Sequence, residues 1–107
     1  MSTDSLDDLV FKALAHPRRR GILDLLKGEP FTTGMLVDAF PDMDRCTVMM
    51  HLKVLEAADL IIVQREGRER WNHLNAMPIK QIYDRWIGEY ATHALNILDR
   101  LRSDLKE

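Results

Sequence analysis

The sequence predicts a mainly α-helical domain with one small β-hairpin, and three observations predict it. Apolar residues recur at helical intervals in successive stretches up to Leu55 and again in a longer stretch after Pro78. A β-branched run over Leu60–Arg65 is followed by Glu66-Gly67-Arg68 and by a stretch containing Trp71. The chain has 107 residues, 46% hydrophobic and 30% charged, with only 5 Gly and 4 Pro, which is the size and balance of one folded domain and not of a disordered or fibrous chain. A single domain over 1–107 follows.

Ser5 and Asp8 have capping-box spacing ahead of Leu6, Leu9, Val10, Ala13 and Leu14, which predicts a first helix ending before Pro17. Pro17 suits the first turn of a second helix, where its missing N–H is no loss, and Gly28 suits the far end, with Ile22, Leu23 and Leu26 between. Thr32 or Thr33 caps a third helix bearing Leu36, Val37 and Phe40, which Pro41 stops. Asp44 caps a fourth. In that helix Val48, Leu52 and Leu55 fall at i, i+4 and i+7 and face a core. The opposite sector carries Cys46, Met50 and Lys53, flanked by Arg45, Thr47 and Met49.

Leu60–Arg65 then pairs back on Arg70–Leu74, giving a hairpin with arginines at its tip. From Pro78 one broad apolar stripe predicts a final helix over 78–106, about 28 residues or roughly 42 Å long. A globule of this size has a radius of gyration of about 13 Å, so one subunit cannot cover that stripe. A second copy is therefore expected against it, with Leu6, Leu9, Val10, Tyr83, Trp86, Tyr90, Ile97 and Leu101 at the dimer interface.

Fifteen Lys and Arg against 17 Asp and Glu leave a net charge of -2, so bulk attraction to nucleic acid or anionic lipid is absent and any polyanion site must be local. The lone Cys46 forms no disulfide within the chain, and Met1-Ser2-Thr3-Asp4 lacks a basic and apolar leader, so a reducing, cytoplasmic location is expected. Apolar runs such as Leu60-Ile61-Ile62-Val63 are far short of the ~20 residues a bilayer requires, and no membrane partner is expected. His16, His51, His73 and His93 fall in four different predicted elements without a nucleophilic neighbour, and no phosphate-binding glycine loop is present. An enzyme is not expected, nor a cofactor.

Helix, helix, short helix, turn, helix and arginine-tipped hairpin is the order of a winged helix-turn-helix, whose second motif helix enters the major groove. Three stretches strengthen this: Phe11-Lys12-Ala13-Leu14-Ala15-His16-Pro17-Arg18-Arg19-Arg20-Gly21-Ile22-Leu23, Cys46-Thr47-Val48-Met49-Met50-His51-Leu52-Lys53-Val54-Leu55 and Arg65-Glu66-Gly67-Arg68. Together, over about Leu9 to Asn75, they closely resemble the signatures of ArsR-type transcriptional regulators. The resemblance implies a cytoplasmic bacterial homodimer that represses transcription by occupying an operator, often in its own promoter, and leaves it when a signal arrives. Two copies related by a two-fold axis would set their reading helices about 34 Å apart, so the operator is expected to be an imperfect inverted repeat of double-stranded DNA.

Arg45, Thr47, Met49, Met50 and Lys53 are the expected readers of base edges, with Cys46 and His51 beside them on the same helix. Met49 and Met50 also suit a packing gap between helices; exposed, they offer apolar contact to thymine methyls. Arg18, Arg19 and Arg20, with Arg65, Arg68 and Arg70 around the hairpin, can neutralise phosphates or enter the minor groove. The alternative for any of these six is an intramolecular acidic partner such as Glu66 or Glu69. Basic and acidic residues balance between His16 and Asn75, which leaves a winged-helix protein-interaction module without DNA binding as the second reading.

Many relatives sense metals through cysteines on the third helix or Asp and His on the last. Thr32–Asp38 contains no cysteine, and Trp86 stands where the family's terminal pair would place a ligand. Asp84 and His93 are nine residues apart and point to opposite sides of one helix, while Glu89 and His93 at i, i+4 suit an interface as well as a metal. No metal is expected, and no motif names an effector. Cys46, in the first turn of the reading helix, raises a redox-responsive repressor as an alternative, although the chain has no second cysteine to resolve an oxidised thiol.

Overall fold

The computed structural model describes residues 3–105. Helices α1 (Thr3–Leu14) and α2 (Pro17–Leu26) lead to a short strand β1 (Phe31–Thr32), then α3 (Thr33–Ala39), α4 (Arg45–Ala57), β2 (Ile61–Glu66), β3 (Glu69–Leu74), α5 (Met77–Trp86) and α6 (Ala91–Leu105). The mainly helical class with a small sheet is as the periodicities predict. Pro17 opens α2, and His16 caps it, its Nδ1 accepting the Arg18 backbone N–H at 3.1 Å. Of the two threonines offered as caps, Thr32 takes the role, its Oγ1 accepting from the Met35 N–H at 3.1 Å, while Thr33 is buried. Asp44 caps α4 as expected. Helix α1, however, is already helical at Thr3, so Ser5 lies inside its first turn and is not the N-cap that its spacing to Asp8 suggests.

Val48, Leu52 and Leu55 are fully enclosed, as their spacing predicts, by Ala13, Ile22, Leu23, Leu26 and Leu36 from the other helices and by Leu60 and Ile61 at the start of the hairpin. Each such Leu or Ile contributes about 1.5–3 kcal/mol relative to exposure. Val10 belongs to this core at 3% exposure, which corrects its assignment to a dimer interface: one face of α1 is consumed within the subunit. Leu9 is half-buried and packs on the same cluster.

The expected hairpin is part of a three-stranded antiparallel sheet of order β1-β3-β2. Phe31 pairs with Asn72 and Thr32 with Trp71. Asn72 is fully buried and closes this joint, its Nδ2 donating to the Phe31 carbonyl at 3.2 Å and to Thr33 Oγ1 at 3.3 Å. Gly67, with φ of +62°, is the first of two residues between the paired Glu66 and Glu69, where a II′-type hairpin turn needs a left-handed residue.

The single helix expected over 78–106 is interrupted. Ile87 leaves helical geometry at φ -124°, ψ -56°, a 3-10 turn follows over Gly88–Tyr90, and α6 begins at Ala91. Gly88 is the weak point, since glycine is a poor helix former, and the Tyr90 N–H reaches back to the Ile87 carbonyl at 2.7 Å. The described residues of α5 and α6 include none that is buried. The molecule is accordingly long, 60 × 35 × 21 Å with a radius of gyration of 17.8 Å, against about 13 Å for a sphere-like domain of this length.

Helix α5 is nonetheless fastened. The Arg85 guanidinium donates to Asp4 Oδ1 at 2.9 Å and to Asp7 Oδ2 at 2.8 Å on α1, and it lies 4.5 Å over the Trp86 ring, which in turn meets Phe11 at 6.0 Å between centroids. At the other end, Asn75 Nδ2 donates to the Asp59 carbonyl at 2.8 Å, and its Oδ1 accepts the Met77 N–H at 3.2 Å. Asp59 itself ends α4 in the left-handed region at φ +60°.

Candidate nucleic-acid interface

The first turn of α4 is fixed by Asp44, whose Oδ1 accepts the Thr47 N–H at 2.7 Å; that hydrogen bond holds the Asp44 carboxyl below its ordinary range. With the core sector turned inward, Arg45, Cys46, Met50 and Lys53 are exposed, and Thr47 and Met49 are half-buried. The two methionines therefore divide between the two expectations: Met49 packs against the core cluster, and Met50 stands 56% exposed.

Beside this face lies a cleft of about 430 Å³ between the starts of α3 and α4 and the hairpin. Arg45, Arg65, Arg68 and Arg70 converge on it, with Thr32, Thr33, Gly34, Met49 and Glu69. The Arg45 guanidinium folds back over α3, 3.9 Å from the point a Cβ would occupy at Gly34. Arg45, Arg65 and Arg68 show no ion pair among the described residues, whereas Arg70 is drawn inward, its side chain only 14% exposed and paired with Glu56 at 2.9 Å. Arg70 also donates to Asn72 Oδ1 at 3.4 Å, so it braces the hairpin against α4.

The arginines of α2 divide in the same way. Arg18 remains accessible but forms an ion pair with Asp42. Arg19 and Arg20 turn to the open end of α1: Arg19 donates to the Ala13 and Lys12 carbonyls at 2.8 and 3.0 Å, and Arg20 to the Leu14 carbonyl at 2.7 Å. They satisfy carbonyls that have no partner within the helix, which corrects their expected place on phosphates. An arginine a few residues past a helix end was the available signal.

His51 also corrects its assignment. It is 3% exposed, its ring 4.6 Å from that of His16 and its Nδ1 3.3 Å from Arg19. A guanidinium only donates, so Nδ1 accepts and the imidazole proton resides on Nε2. Burial, then the charges of His16, Arg19 and Arg18, push the His51 pKa below its ordinary value. Its place three residues after Val48 and four before Leu55, in the core sector, was legible but outweighed by its neighbours' chemistry.

Cys46 is exposed. Asp84 is held by Lys80 at 2.7 Å on its own helix, and the Glu89 side chain lies outside the described residues. No group of three or more His, Cys, Asp or Glu is placed to hold a metal ion among the described residues. No helix among them is long and apolar enough to cross a membrane. Leu6, Tyr83, Trp86, Tyr90, Ile97 and Leu101 are each 45–63% exposed in the single subunit.

Residues 14–64 match a protein family described as a helix-turn-helix domain. Over 66 residues the chain is 39% identical to the transcriptional repressor SdpR of Bacillus subtilis, covering 62% of this chain and 72% of that one. A crystal structure of an ArsR family transcriptional regulator superposes with a TM-score of 0.72 at 29% identity, covering 83% of this chain and 90% of the other. The fold extends over nearly the whole length of an ArsR-like transcriptional regulator from Rhodococcus sp. RHA1, with a TM-score of 0.73 at 22% identity and coverage of 97% and 98%.

Proposed function

This chain belongs to the ArsR family of winged helix-turn-helix transcriptional regulators, and on that premise we propose that it is a homodimeric repressor of an inverted-repeat operator, its own promoter included. Each subunit lays α4 in a major groove and its hairpin along the adjoining minor groove. The sugar-phosphate strand between those grooves runs through the cleft, where Arg45, Arg65 and Arg68 meet its phosphates; Arg45 thereby moves from base reading to anchoring. Lys53 and Met50 are left for base edges. The partner subunit covers Leu6, Tyr83, Trp86, Tyr90, Ile97 and Leu101.

One observation carries this reading: three arginines that form no ion pair among the described residues line one cleft, with Glu69 as its one carboxylate, beside an exposed helix face, while Arg18, Arg19, Arg20 and Arg70 are engaged within the chain. Unpaired cations held together at such a place have a polyanion as their natural counterpart. The full-length protein incubated with a pool of randomised duplexes is expected to retain inverted repeats, and log affinity is expected to fall linearly with log salt. Arg68→Ala should weaken all retained sequences alike and reduce the salt slope by about 1.

The exposed Met50 favours the second reading, a protein-interaction module. That reading predicts neither retained sequences nor a salt slope, and finding neither would overturn the repressor.

A further inference from the structure

The outward face of α4 is polar only at its edges. Arg45 is turned to the cleft, Lys53 stands at one side, and Glu56 is paired with Arg70. Between them lies a depression of about 540 Å³ lined by Arg45, Cys46, Met49, Met50, Lys53 and Val54. Met50 lines it, with Cys46 and Val54 one turn to either side, and at 56% exposure it is the one large apolar side chain of α4 that is exposed.

In the major groove guanine and adenine present acceptors or an amino donor, cytosine an amino donor, and thymine alone a methyl group beside its O4. An apolar depression pressed on the first three strips water from polar edges without replacing the lost hydrogen bonds, which is costly. On thymine it buries a methyl, which is favourable. The cationic rim formed by Arg45 and Lys53 complements the phosphates flanking such a base. Resting on the repressor reading above, we propose that Met50 reads the 5-methyl group of thymine, so that each operator half carries a T·A pair beneath the centre of α4 and rejects G·C there.

The test replaces deoxythymidine by deoxyuridine, one position at a time, in a duplex retained from the randomised pool. This removes the methyl and leaves base pairing intact. Wild-type protein is expected to lose about fourfold in affinity at one position per half-site, the size of one buried methyl. Met50→Gln, a substitution at an exposed position that leaves the core untouched, should bind the deoxythymidine and deoxyuridine duplexes equally. Met50→Leu should retain the difference.

Equal wild-type affinity for every substituted duplex overturns the proposal and leaves the repressor reading standing. So does a Met50→Gln protein that still loses fourfold on deoxyuridine, because the methyl is then sensed elsewhere or through duplex shape. A pool from which no duplex is retained overturns both.

Discussion

The body of the molecule, α1 to α4 with the sheet, encloses a continuous cluster from Val10 to Ile61, whereas α5 and α6 contribute no buried residue among those described and present Tyr83, Trp86, Leu98 and Leu101 to solvent. Both regions are amphipathic helices of ordinary composition. What differs is whether the apolar face finds its cover in the same chain. Most of a helix's stability in a protein comes from packing that face, so the apolar face of the body is covered within the subunit and that of the tail is left open there. On the homodimer proposed above, the reading side is built within one subunit, and the side that sets the distance between two readers is built by association.

Mutations can break this contrast. Leu52→Ala, in the middle of the core, should cost about 2–5 kcal/mol in denaturant unfolding. Leu101→Asp should convert a dimer to single subunits in sedimentation while the near-ultraviolet signal of the half-buried Trp71 persists. Loss of the Trp71 signal in the Leu101→Asp protein would show that the body depends on the tail.

A smaller effect comes from the buried His51. Its pKa is lowered in the folded state by burial and by His16, Arg19 and Arg18, so below about pH 6.5 the unfolded chain binds a proton there that the folded chain does not. The contribution of His51 is fully present above that pH and declines as pH falls. Thermal melts of wild type between pH 7.5 and 5.5 should therefore lose midpoint on acidification, and His51→Gln, which retains an acceptor for Arg19, should lose less.

The smallest effect sharpens the boundary between the regions. Asp59 holds φ of +60° where α4 ends and Asn75 ties body to tail. Asp59→Gly relieves a left-handed conformation while keeping the carbonyl that Asn75 uses, and should raise stability by about 1 kcal/mol or less in the same unfolding measurement.

Local chemistry was legible in the sequence wherever it acts within a few residues. The Asp44 cap, Pro17, the Gly67 turn and the Val48–Leu52–Leu55 stripe each express a short-range rule. The two-residue β1 was not legible, because Phe31 and Thr32 are a strand only through Asn72 and Trp71, some forty positions away. The break at Ile87 was hidden by an apolar stripe that continues through it, with Gly88 the sole sign. On the candidate interface the charge of a residue was legible, but its partner was not: Arg18, Arg19, Arg20 and Arg70 read like Arg65 and Arg68 until the carbonyls and carboxylates they meet are in place.

The contact of Arg85 with Asp4 and Asp7 joins positions 81 and 78 residues apart. During synthesis the two aspartates emerge long before their counter-ion exists, and the N-terminal helix can dock on its core without being locked to the helix that follows the sheet. That contact forms only after residue 85 has been added, so it follows the docking of the first helix on the core and does not guide it.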